Sequence, residues 1–297
     1  MADAKQLLGV LTMAYQDHFF VERWYRYWSA QIGPENLYLM SHGNDPVHRD
    51  ICVGANVLNI PRDAAMFKFD QRRWRSMGFI ASGLLEFYRW MIVSDVDEIV
   101  VTDPQAAENV GDWITQHLPE GANTPRNISP LCLELIHLPQ EEPEKIDHQA
   151  TILSRRRIFR PNWNYSKPCL IGAPGLFGPG GHRNNLGPRV LPDDLYTLHL
   201  KFCDLDQLTR TAEQRRQLVY EAENAGSSID QSHSWAKTLQ TYHNIVETMT
   251  LAGEDIALPA FRAAMQHQRR KYTDQYIWGR AENDRLYRIP DRFAGVF

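Results

Sequence analysis

Cysteine is scarce in this sequence, and the cysteines present are far apart. Among 297 residues there are four, with neither CxxC spacing nor the density of a secreted disulfide scaffold. They are Cys52, Cys132, Cys169 and Cys203. We interpret them as reduced thiols and expect a cytoplasmic location.

Long apolar runs are also missing. No stretch approaches the roughly 20 apolar residues that cross a bilayer. Residues 7–14 are apolar and follow Lys5, but no small-residue cleavage site follows them. We therefore predict a first strand there rather than a signal peptide. Any membrane contact is expected to be peripheral, at the inner face.

The sequence has no excess of positive charge and no phosphate-binding glycine motif. The formal net charge is −4, which supplies no basic field for nucleic acid, and we expect no such partner. The glycine-rich residues 172–182 lack Gly-Lys-Ser/Thr, and prolines interrupt them. This segment is neither a Walker loop nor a dinucleotide fingerprint, and it is interpreted as an irregular wall of a site.

One stretch dominates what is present. Residues 90–101 form an apolar run interrupted by Asp95, Asp97 and Glu98, which is typical of a buried strand ending in carboxylates. In an extended chain residues two apart point the same way, so Asp95 and Asp97 are expected to converge while Val96 turns inward. Two such carboxylates suit Mg²⁺ or Mn²⁺, whose remaining positions are filled by water and phosphate oxygens. The implied partner is a diphosphate.

The sequence Asp95-Val96-Asp97-Glu98 after an apolar strand resembles the DxD motif of GT-A glycosyltransferases, in the DxDE form of family-2-like members. The resemblance implies an α/β fold, GT-A and Rossmann-like, with a mixed sheet flanked by helices and with C-terminal helices. It also implies transfer of a hexosyl or related sugar, with inversion, from a nucleoside-diphosphate sugar (a UDP-sugar is favoured) to a saccharide or glycolipid acceptor. Residues 1–205 are expected to form this catalytic domain, and residues 206–297 a helical extension packed on it.

Two other interpretations of these carboxylates compete with that resemblance. They can be solvated turn residues after a core strand. A haloacid-dehalogenase-type phosphatase also has DxD after a strand, but it would need Thr where this chain has Ile99.

The resemblance extends to the chain before the carboxylates. The order of strand, acidic turn, helix, strand and polar glycine loop is similar to the opening of family-2-like enzymes, and it implies that Tyr15, Asp17 and His42 line the base and ribose pocket. Asp17 can equally be a helix cap. Similar enzymes have a Gln/Arg segment that touches the nucleotide, here residues 71–75 with Arg73; solvated arginines are the alternative.

Residues 195–203 alternate between apolar and polar side chains, which predicts a strand with His199 and Lys201 on one face. The resemblance places the late metal-completing histidine at His199, so that Asp97 and His199 ligate the ion and Asp95 joins them or holds the ribose. Lys201 beside them can neutralise the leaving diphosphate. A hydrogen-bonded structural histidine is the alternative, and His182 is the second candidate ligand. Similar enzymes also have Lys-Pro and Gly-His pairs, matched here by residues 167–168 and 181–182.

An inverting mechanism needs a carboxylate base near the acceptor hydroxyl. Asp194 and Asp193 are the first candidates because they directly precede the His199 strand. Asp147 and Glu134 fall in the same interval. Two other functions stay open: a nucleotidyltransferase, although its glycine-rich basic loop after the first strand is missing, and a noncatalytic sugar- or nucleotide-binding protein.

Overall fold

The computed structural model describes residues 5–62, 67–147, 150–226, 237–252, 258–267, 270–272, 275–278, 280–281 and 283–297. Its strands, in chain order, are β1 (Gln6–Ala14), β2 (Leu37–His42), β3 (Asn56–Ile60), β4 (Tyr88–Val93), β5 (Glu98–Thr102), β6 (Asn127–Ile128), β7 (Leu131–Ile136), β8 (Ile158–Asn162), β9 (Leu170–Ile171), β10 (Leu195–Phe202), β11 (Thr250–Leu251), β12 (Arg270–Tyr272), β13 (Gln275–Ile277) and β14 (Arg285–Arg288). Its α-helices are α1 (His18–Ile32), α2 (Pro46–Ile51), α3 (Phe69–Leu84), α4 (Val110–His117), α5 (Leu205–Asn224), α6 (Thr238–Thr248) and α7 (Leu258–His267).

The first sheet has the order β3-β2-β1-β4-β9-β6. Its first four strands are parallel, with β1 between β2 and β4. Strand β9 is antiparallel to β4, and β6 at the edge is antiparallel to β9. Parallel strands need helices on both faces of the sheet. Leu11 and Met13 of β1 accordingly pack in one cluster with Trp74 of α3, while Val10 packs on the other face in a cluster with Trp24 of α1.

The second sheet has the order β11-β14-β8-β7-β10-β5. Strand β10 runs parallel to β7 and antiparallel to β5, which is an edge strand. Because β4 belongs to the first sheet and β5 to the second, the chain passes between the sheets within a few residues. The two mixed sheets and their flanking helices confirm the expected α/β class, a Rossmann-like mixed sheet flanked by helices.

Strand β3 is shorter than the sequence suggests. Residues 51–60 are apolar enough to predict one strand, yet residues before 52 form helix α2. The side chain of Asp45 accepts a hydrogen bond from Val47 N, and Pro46 occupies the first turn, where its missing N–H costs nothing. An Asp-Pro pair at a helix start was the signal for this helix.

The chain after residue 205 is not only helical. Helices α5, α6 and α7 are present, but β11 and β14 add strands to the second sheet, and Arg288 pairs with Ile158. Residues 227–236, which include part of an expected helix, lie outside the described residues. The proposed division at residue 205 stays a prediction. Among the described helices, none has the length and apolar character that spanning a bilayer requires.

Candidate active site

A cavity of about 470 Å³ opens where the carboxyl ends of β1 and β4 meet β10 and helix α5. Ligands of open α/β sheets bind at the carboxyl ends of the strands, because the loops there converge. The cavity gathers most of the side chains that the sequence had singled out, and these are Tyr15, Asp17, His42, Arg73, Asp95, Asp97, His182, His199 and Lys201.

The acidic motif is a tight turn rather than an extended segment. Glu98 N donates to Asp95 O at 3.0 Å, and Ser94 Oγ donates to Glu98 O at 3.0 Å. The expected strand-like alternation through Asp95 and Asp97 is therefore wrong. Both aspartates still line the cavity and Val96 is buried, because the turn ends one sheet and begins the other.

Both carboxylate oxygens of Asp95 are bound to cations within the protein. Arg73 Nη1 donates to Oδ1 at 2.6 Å, and Lys167 Nζ donates to Oδ2 at 2.9 Å. Burial opposes the charge, but Arg73 and Lys167 outweigh it and hold the pKa of Asp95 well below its usual range. Coordination of a metal by Asp95 would compete with both ion pairs.

Lys167 is the buried centre of this network. Its ammonium also lies 2.6 Å from Glu98 Oε1, and both side chains are almost completely buried. Burial raises the pKa of Glu98 to about 7, against the opposing effect of Lys167. Sequence reasoning had noted Lys167 only through its Lys-Pro match and had given it no partner.

Arg73 is anchored from a second side. Its Nη2 donates to Asp70 Oδ1 at 2.9 Å, and the other oxygen of Asp70 accepts from Gly180 N at 2.6 Å. Arg73 is thus a member of a charge network at the start of α3, and the alternative of a solvated arginine is wrong for this residue. The basic start of α3 has the carboxylates that its helix dipole requires.

His199 is oriented by a buried carboxylate. Its Nδ1 donates to Glu134 Oε1 at 2.9 Å, and the other oxygen of Glu134 accepts from Arg160 Nε at 2.5 Å and from Asn162 Nδ2 at 3.1 Å. Burial alone would raise the pKa of Glu134, but Arg160 and His199 hold it well below its usual range. An ionised Glu134 only accepts, so the His199 proton lies on Nδ1 and the lone pair on Nε2.

The lone pair of His199 faces Asp97. Nε2 and Asp97 Oδ2 are 3.7 Å apart, and with Glu98 they form a cluster of three potential ligands. In the neutral tautomer both atoms are acceptors that a cation between them would satisfy, and metal–ligand distances of about 2.0–2.2 Å fit that gap. The pair could hold a divalent ion, whereas Glu98 is already engaged by Lys167.

We expect Glu134→Gln to weaken divalent-ion binding about 10- to 100-fold, as is typical when an outer-shell partner is lost. Three donors converge on Glu134, and the glutamine amide offers them only one oxygen. Its NH₂ group is therefore expected to face His199 Nδ1, which moves the ring proton to Nε2 and removes the lone pair that would bind the ion. Mn²⁺ titration by calorimetry measures the affinity, with the exposed Glu86→Gln as the control. Unchanged Mn²⁺ affinity in a folded variant would contradict the assignment of Nε2 as a ligand.

Asp17 does not cap helix α1. It occupies the N-cap position, but its side chain forms no capping hydrogen bond. The carboxyl instead lines the cavity, where burial raises its pKa to about 6. Asp17 and Gln16 both have positive φ values, 43° and 58°, a conformation that costs side-chain-bearing residues energy and is found at functional sites.

A second histidine cluster supports this strained turn. The buried His48 donates through Nε2 to Gln16 O at 2.8 Å and contacts Ser41 Oγ through Nδ1 at 2.9 Å. His18 lies nearby and contacts Asp45 Oδ2 at 2.7 Å. His18, Asp45 and His48 are close enough to suggest a metal site, but both ring nitrogens of His48 are occupied. The cluster is explained by its hydrogen bonds.

Aromatic rings line one end of the cavity. The rings of Tyr15 and His42 meet edge to face with centroids 5.7 Å apart, and His42 lies 4.9 Å from the ring of Phe69. The Arg62 guanidinium lies 4.8 Å from the centre of the Tyr15 ring. This ring cluster offers faces and edges on which a flat aromatic group can stack.

Asp193 and Asp194 are placed away from the cavity, which corrects the expectation that one of them is the base. Asp194 accepts a hydrogen bond from Trp113 Nε1 at 2.9 Å. The side chain of Asp193 is 92% exposed and lies 3.8 Å from Arg262. Both precede the first residue of β10, whereas His199 lies further along the strand, roughly 15 Å away at the rise of an extended chain. The two aspartates are close to His199 in sequence but not in space, because they precede the start of β10 and His199 lies further along the strand.

Helix α5 supplies a wall of the cavity that sequence reasoning missed. Four of its residues line the cavity, and these are Thr211, Gln214, Arg215 and Leu218. Their spacing of three and four residues puts them on one helical face. The sequence shows that these residues share one helical face, but that face contains both polar and apolar side chains, and nothing in the sequence indicated that it lines the cavity.

No family model matches the chain, and no curated protein matches it. One of the solved structures that match is the mannose-1-phosphate geranyltransferase from Thermus thermophilus. It is 12% identical, with 76% of this chain and 67% of that chain covered and a TM-score of 0.27. A likeness of this strength carries no argument about substrate or mechanism, so the function is argued from the cavity itself.

Proposed function

We propose that this chain is a metal-dependent glycosyltransferase of GT-A type. It would transfer a sugar from a nucleoside-diphosphate sugar to an acceptor hydroxyl, with inversion. The observation that carries the proposal is the facing pair of His199 Nε2 and Asp97 Oδ2, 3.7 Å apart, with the proton of His199 held on the far side of the ring by Glu134. This pair lies in the same cavity as a ring cluster and several cations.

The cavity supports one orientation of the donor. A nucleobase fits the ring cluster of Tyr15, His42 and Phe69, and the ribose then lies toward Asp17. The diphosphate reaches Asp97 and His199 at the junction of the sheets. Asp95 holds Arg73 and Lys167 in place beside the position of the diphosphate.

Asp97 and His199 would ligate the ion, and the imidazole ligand favours Mn²⁺ over Mg²⁺. When bound, the ion supplies Lewis-acid stabilisation of the departing diphosphate. In the reaction, the acceptor oxygen forms a bond to the anomeric carbon as the bond from that carbon to the diphosphate oxygen breaks. Lys201 faces the same cavity and stabilises the charge that develops on the leaving oxygen.

The hydroxyl proton needs an acceptor in the cavity. Among the described residues, Asp17 and His182 line it with acceptor atoms for which no hydrogen-bond partner is found. His182 Nδ1 donates to Asn164 O at 2.8 Å, which leaves the lone pair on Nε2. Burial and Lys167 lower the pKa of His182 to about 3, so the ring is neutral, while the pKa of Asp17 is about 6. A proton acceptor with a pKa nearer to neutral pH is the better base, but Asp17 lies on the ribose side of the diphosphate in this orientation. His182 is therefore the proposed base.

The test is a thermal-shift titration with UDP, GDP, CDP and dTDP, each with and without Mn²⁺. We expect one diphosphate to stabilise the protein by about 2.7 kcal/mol at a hundredfold excess over its dissociation constant, and only with Mn²⁺. The corresponding nucleoside monophosphate serves as the control and should give a smaller shift. If no diphosphate raises the melting temperature with Mn²⁺, the carboxylates are structural and the proposal is wrong.

Product analysis separates this function from its alternatives. A glycosyltransferase releases a nucleoside diphosphate when it consumes the nucleotide sugar, whereas a nucleotidyltransferase consumes it only together with pyrophosphate and releases a nucleoside triphosphate and a sugar phosphate. A noncatalytic binding protein consumes nothing. A saccharide or glycolipid remains the proposed acceptor, and a UDP-sugar the proposed donor.

A further inference from the structure

His182 lines the cavity close to the proposed metal ligands. The Tyr165 ring stacks on the His199 imidazole with centroids 4.0 Å apart, and it meets the His182 ring edge to face at 5.5 Å. A single aromatic ring thus contacts both imidazoles. His182 therefore lies near the position of the diphosphate, where the sugar and its acceptor have to meet.

A turn after strand β8 decides which nitrogen of His182 carries the proton. Nδ1 lies 2.8 Å from Asn164 O, and a carbonyl oxygen only accepts, so Nδ1 donates and the lone pair is on Nε2. Asn162 holds this turn, because its Oδ1 accepts from Asn164 N at 3.0 Å and from Tyr165 N at 3.4 Å. Asn162 thus fixes the carbonyl that accepts from His182.

A glycine turn leaves room for the ring from the other side. Gly180 lines the cavity with a φ of 68°, and a Cβ there would lie 2.5 Å from Cδ2 and 2.7 Å from Nε2 of His182. Contacts this short do not occur, so any side chain at residue 180 displaces the imidazole. Gly180 N donates to Asp70 Oδ2 at 2.6 Å, which ties the turn to the start of α3. The position of the ring therefore depends on a glycine at residue 180.

We propose that Asn162 and Gly180 are positioning residues for His182. They hold the imidazole in its Nδ1–H form with the Nε2 lone pair available in the cavity, where it accepts the hydrogen bond of the acceptor hydroxyl. Both act only through the position of the ring. The identity of the ligand as an acceptor hydroxyl rests on the proposed function, whereas the held form of the ring does not.

Asn162 has a second contact, which the choice of variants has to take into account. Its Nδ2 donates to Glu134 Oε2 at 3.1 Å. A serine at this position is too short to replace that contact, but its hydroxyl can still accept from the turn, although more weakly. Asn162→Ser and Asn162→Ala both lose Glu134, so a difference between these variants reports the turn alone.

The experiment records nitrogen NMR spectra of protein with isotope-labelled histidine, without ligand or metal and well above the ordinary histidine pKa of about 6.5. Protonated and unprotonated ring nitrogens are then resolved, and His182→Gln identifies the signals of His182. We expect the Nδ1–H form in wild type and in Asn162→Ser. Gly180→Ala and Asn162→Ala should shift His182 toward the Nε2–H form that predominates in a free histidine side chain.

Two matched controls isolate these effects. Gly226→Ala imposes the same left-handed strain, since Gly226 has a φ of 75°, but a Cβ there meets nothing within 4 Å. Asn164→Ala removes an exposed side chain and keeps the carbonyl that accepts from His182. Both controls should keep the Nδ1–H form. Circular dichroism checks that each variant is folded.

Turnover supplies a second readout. Gly180→Ala should lower kcat for transfer at least about tenfold, because a positioned proton acceptor contributes roughly 10²–10⁴-fold. Its affinity for a nucleoside diphosphate with Mn²⁺ should stay unchanged, since Asp97 and His199 are untouched. A wild-type kcat with a displaced His182 would overturn the inference.

The nitrogen spectra separate this inference from the proposed function. If His182 lacks the Nδ1–H form in wild type, or keeps it in Gly180→Ala or in Asn162→Ala, the inference is wrong even where transfer is observed. If the form changes as expected but no acceptor receives a sugar, the positioning of His182 stands and the glycosyltransferase proposal is wrong.

Discussion

Replacing Lys167 with methionine is expected to lower the free energy of unfolding by about 3–5 kcal/mol, the usual cost of removing one partner of a buried ion pair. Lys167 has an exposed side-chain fraction of 4%, and its ammonium contacts both Asp95 and Glu98. Methionine keeps the length of the side chain but leaves the two carboxylates facing each other without this cation. The loss of charge, rather than of volume, would dominate.

The pH dependence identifies the cause of that loss. Glu98 has a pKa of about 7 in the folded protein against 4.5 as the ordinary value. Between these values the folded state binds more protons than the unfolded chain, so Glu98 makes stability fall as pH rises through this range. Without Lys167 the folded pKa rises further, and the variant should regain stability on acidification toward pH 5. Denaturant unfolding of wild type and variant at several pH values measures this.

Two further variants make the Lys167 prediction decisive. Lys167→Met with Glu98→Gln should recover part of the lost stability at neutral pH, because the uncompensated carboxylate is gone. Lys145→Met, at an exposed position, should change stability by less than about 0.5 kcal/mol. A loss in Lys167→Met that neither low pH nor Glu98→Gln relieves would mean that the lysine acts by filling space.

Asp97→Ala is expected to abolish the Mn²⁺-dependent stabilisation by nucleoside diphosphate. Turnover should fall by more than the roughly 10- to 100-fold typical of an outer-shell partner, because a ligand itself is removed. The backbone oxygen of Asp97 accepts from Leu200 N at 2.8 Å. The substitution leaves that bond in place.

Unfolding without ligand separates a functional from a structural Asp97. Its carboxylate raises the pKa of Asp17 and of Glu98 and also that of Lys201, so without a bound ion it repels two carboxylates and attracts one ammonium. The ligand-free variant should therefore be at least as stable as wild type, a cost that functional sites commonly carry. Asp50→Ala, at an exposed position, is the control and should retain the Mn²⁺ effect. A variant that melts lower than wild type without ligand yet keeps its Mn²⁺ response would contradict the assignment.

Local pattern was enough to predict the first half of the fold. Helix α1 follows from the helical spacing of Phe20, Trp24 and Trp28 and from the Gly33-Pro34 pair that ends it, and strand β10 follows from its alternation. These elements are long and strongly periodic in sequence, which makes them the easiest to predict. Asp97 and His199 both line the cavity, and it was the resemblance to GT-A glycosyltransferases, rather than local pattern, that had put them together.

Contacts between distant segments were beyond the sequence. Lys167 lies 72 residues from Asp95, and nothing local to either residue indicates the pair. The turn at Asp95 also could not be read from the sequence, since an apolar run on both sides of the acids suits one long strand as well as two short ones in different sheets. The misplaced base has the same origin: adjacency in sequence to β10 says nothing about which end of the strand reaches the cavity.

The turn between β4 and β5 has a mechanical consequence. Asp95 is held by Arg73 on a helix that covers the first sheet, whereas Asp97 is tied through its backbone to β10 of the second. The cavity is thus the seam between two halves of the molecule. A ligand anchored on both sides would join the two sheets as a noncovalent crosslink and so stabilise the folded state.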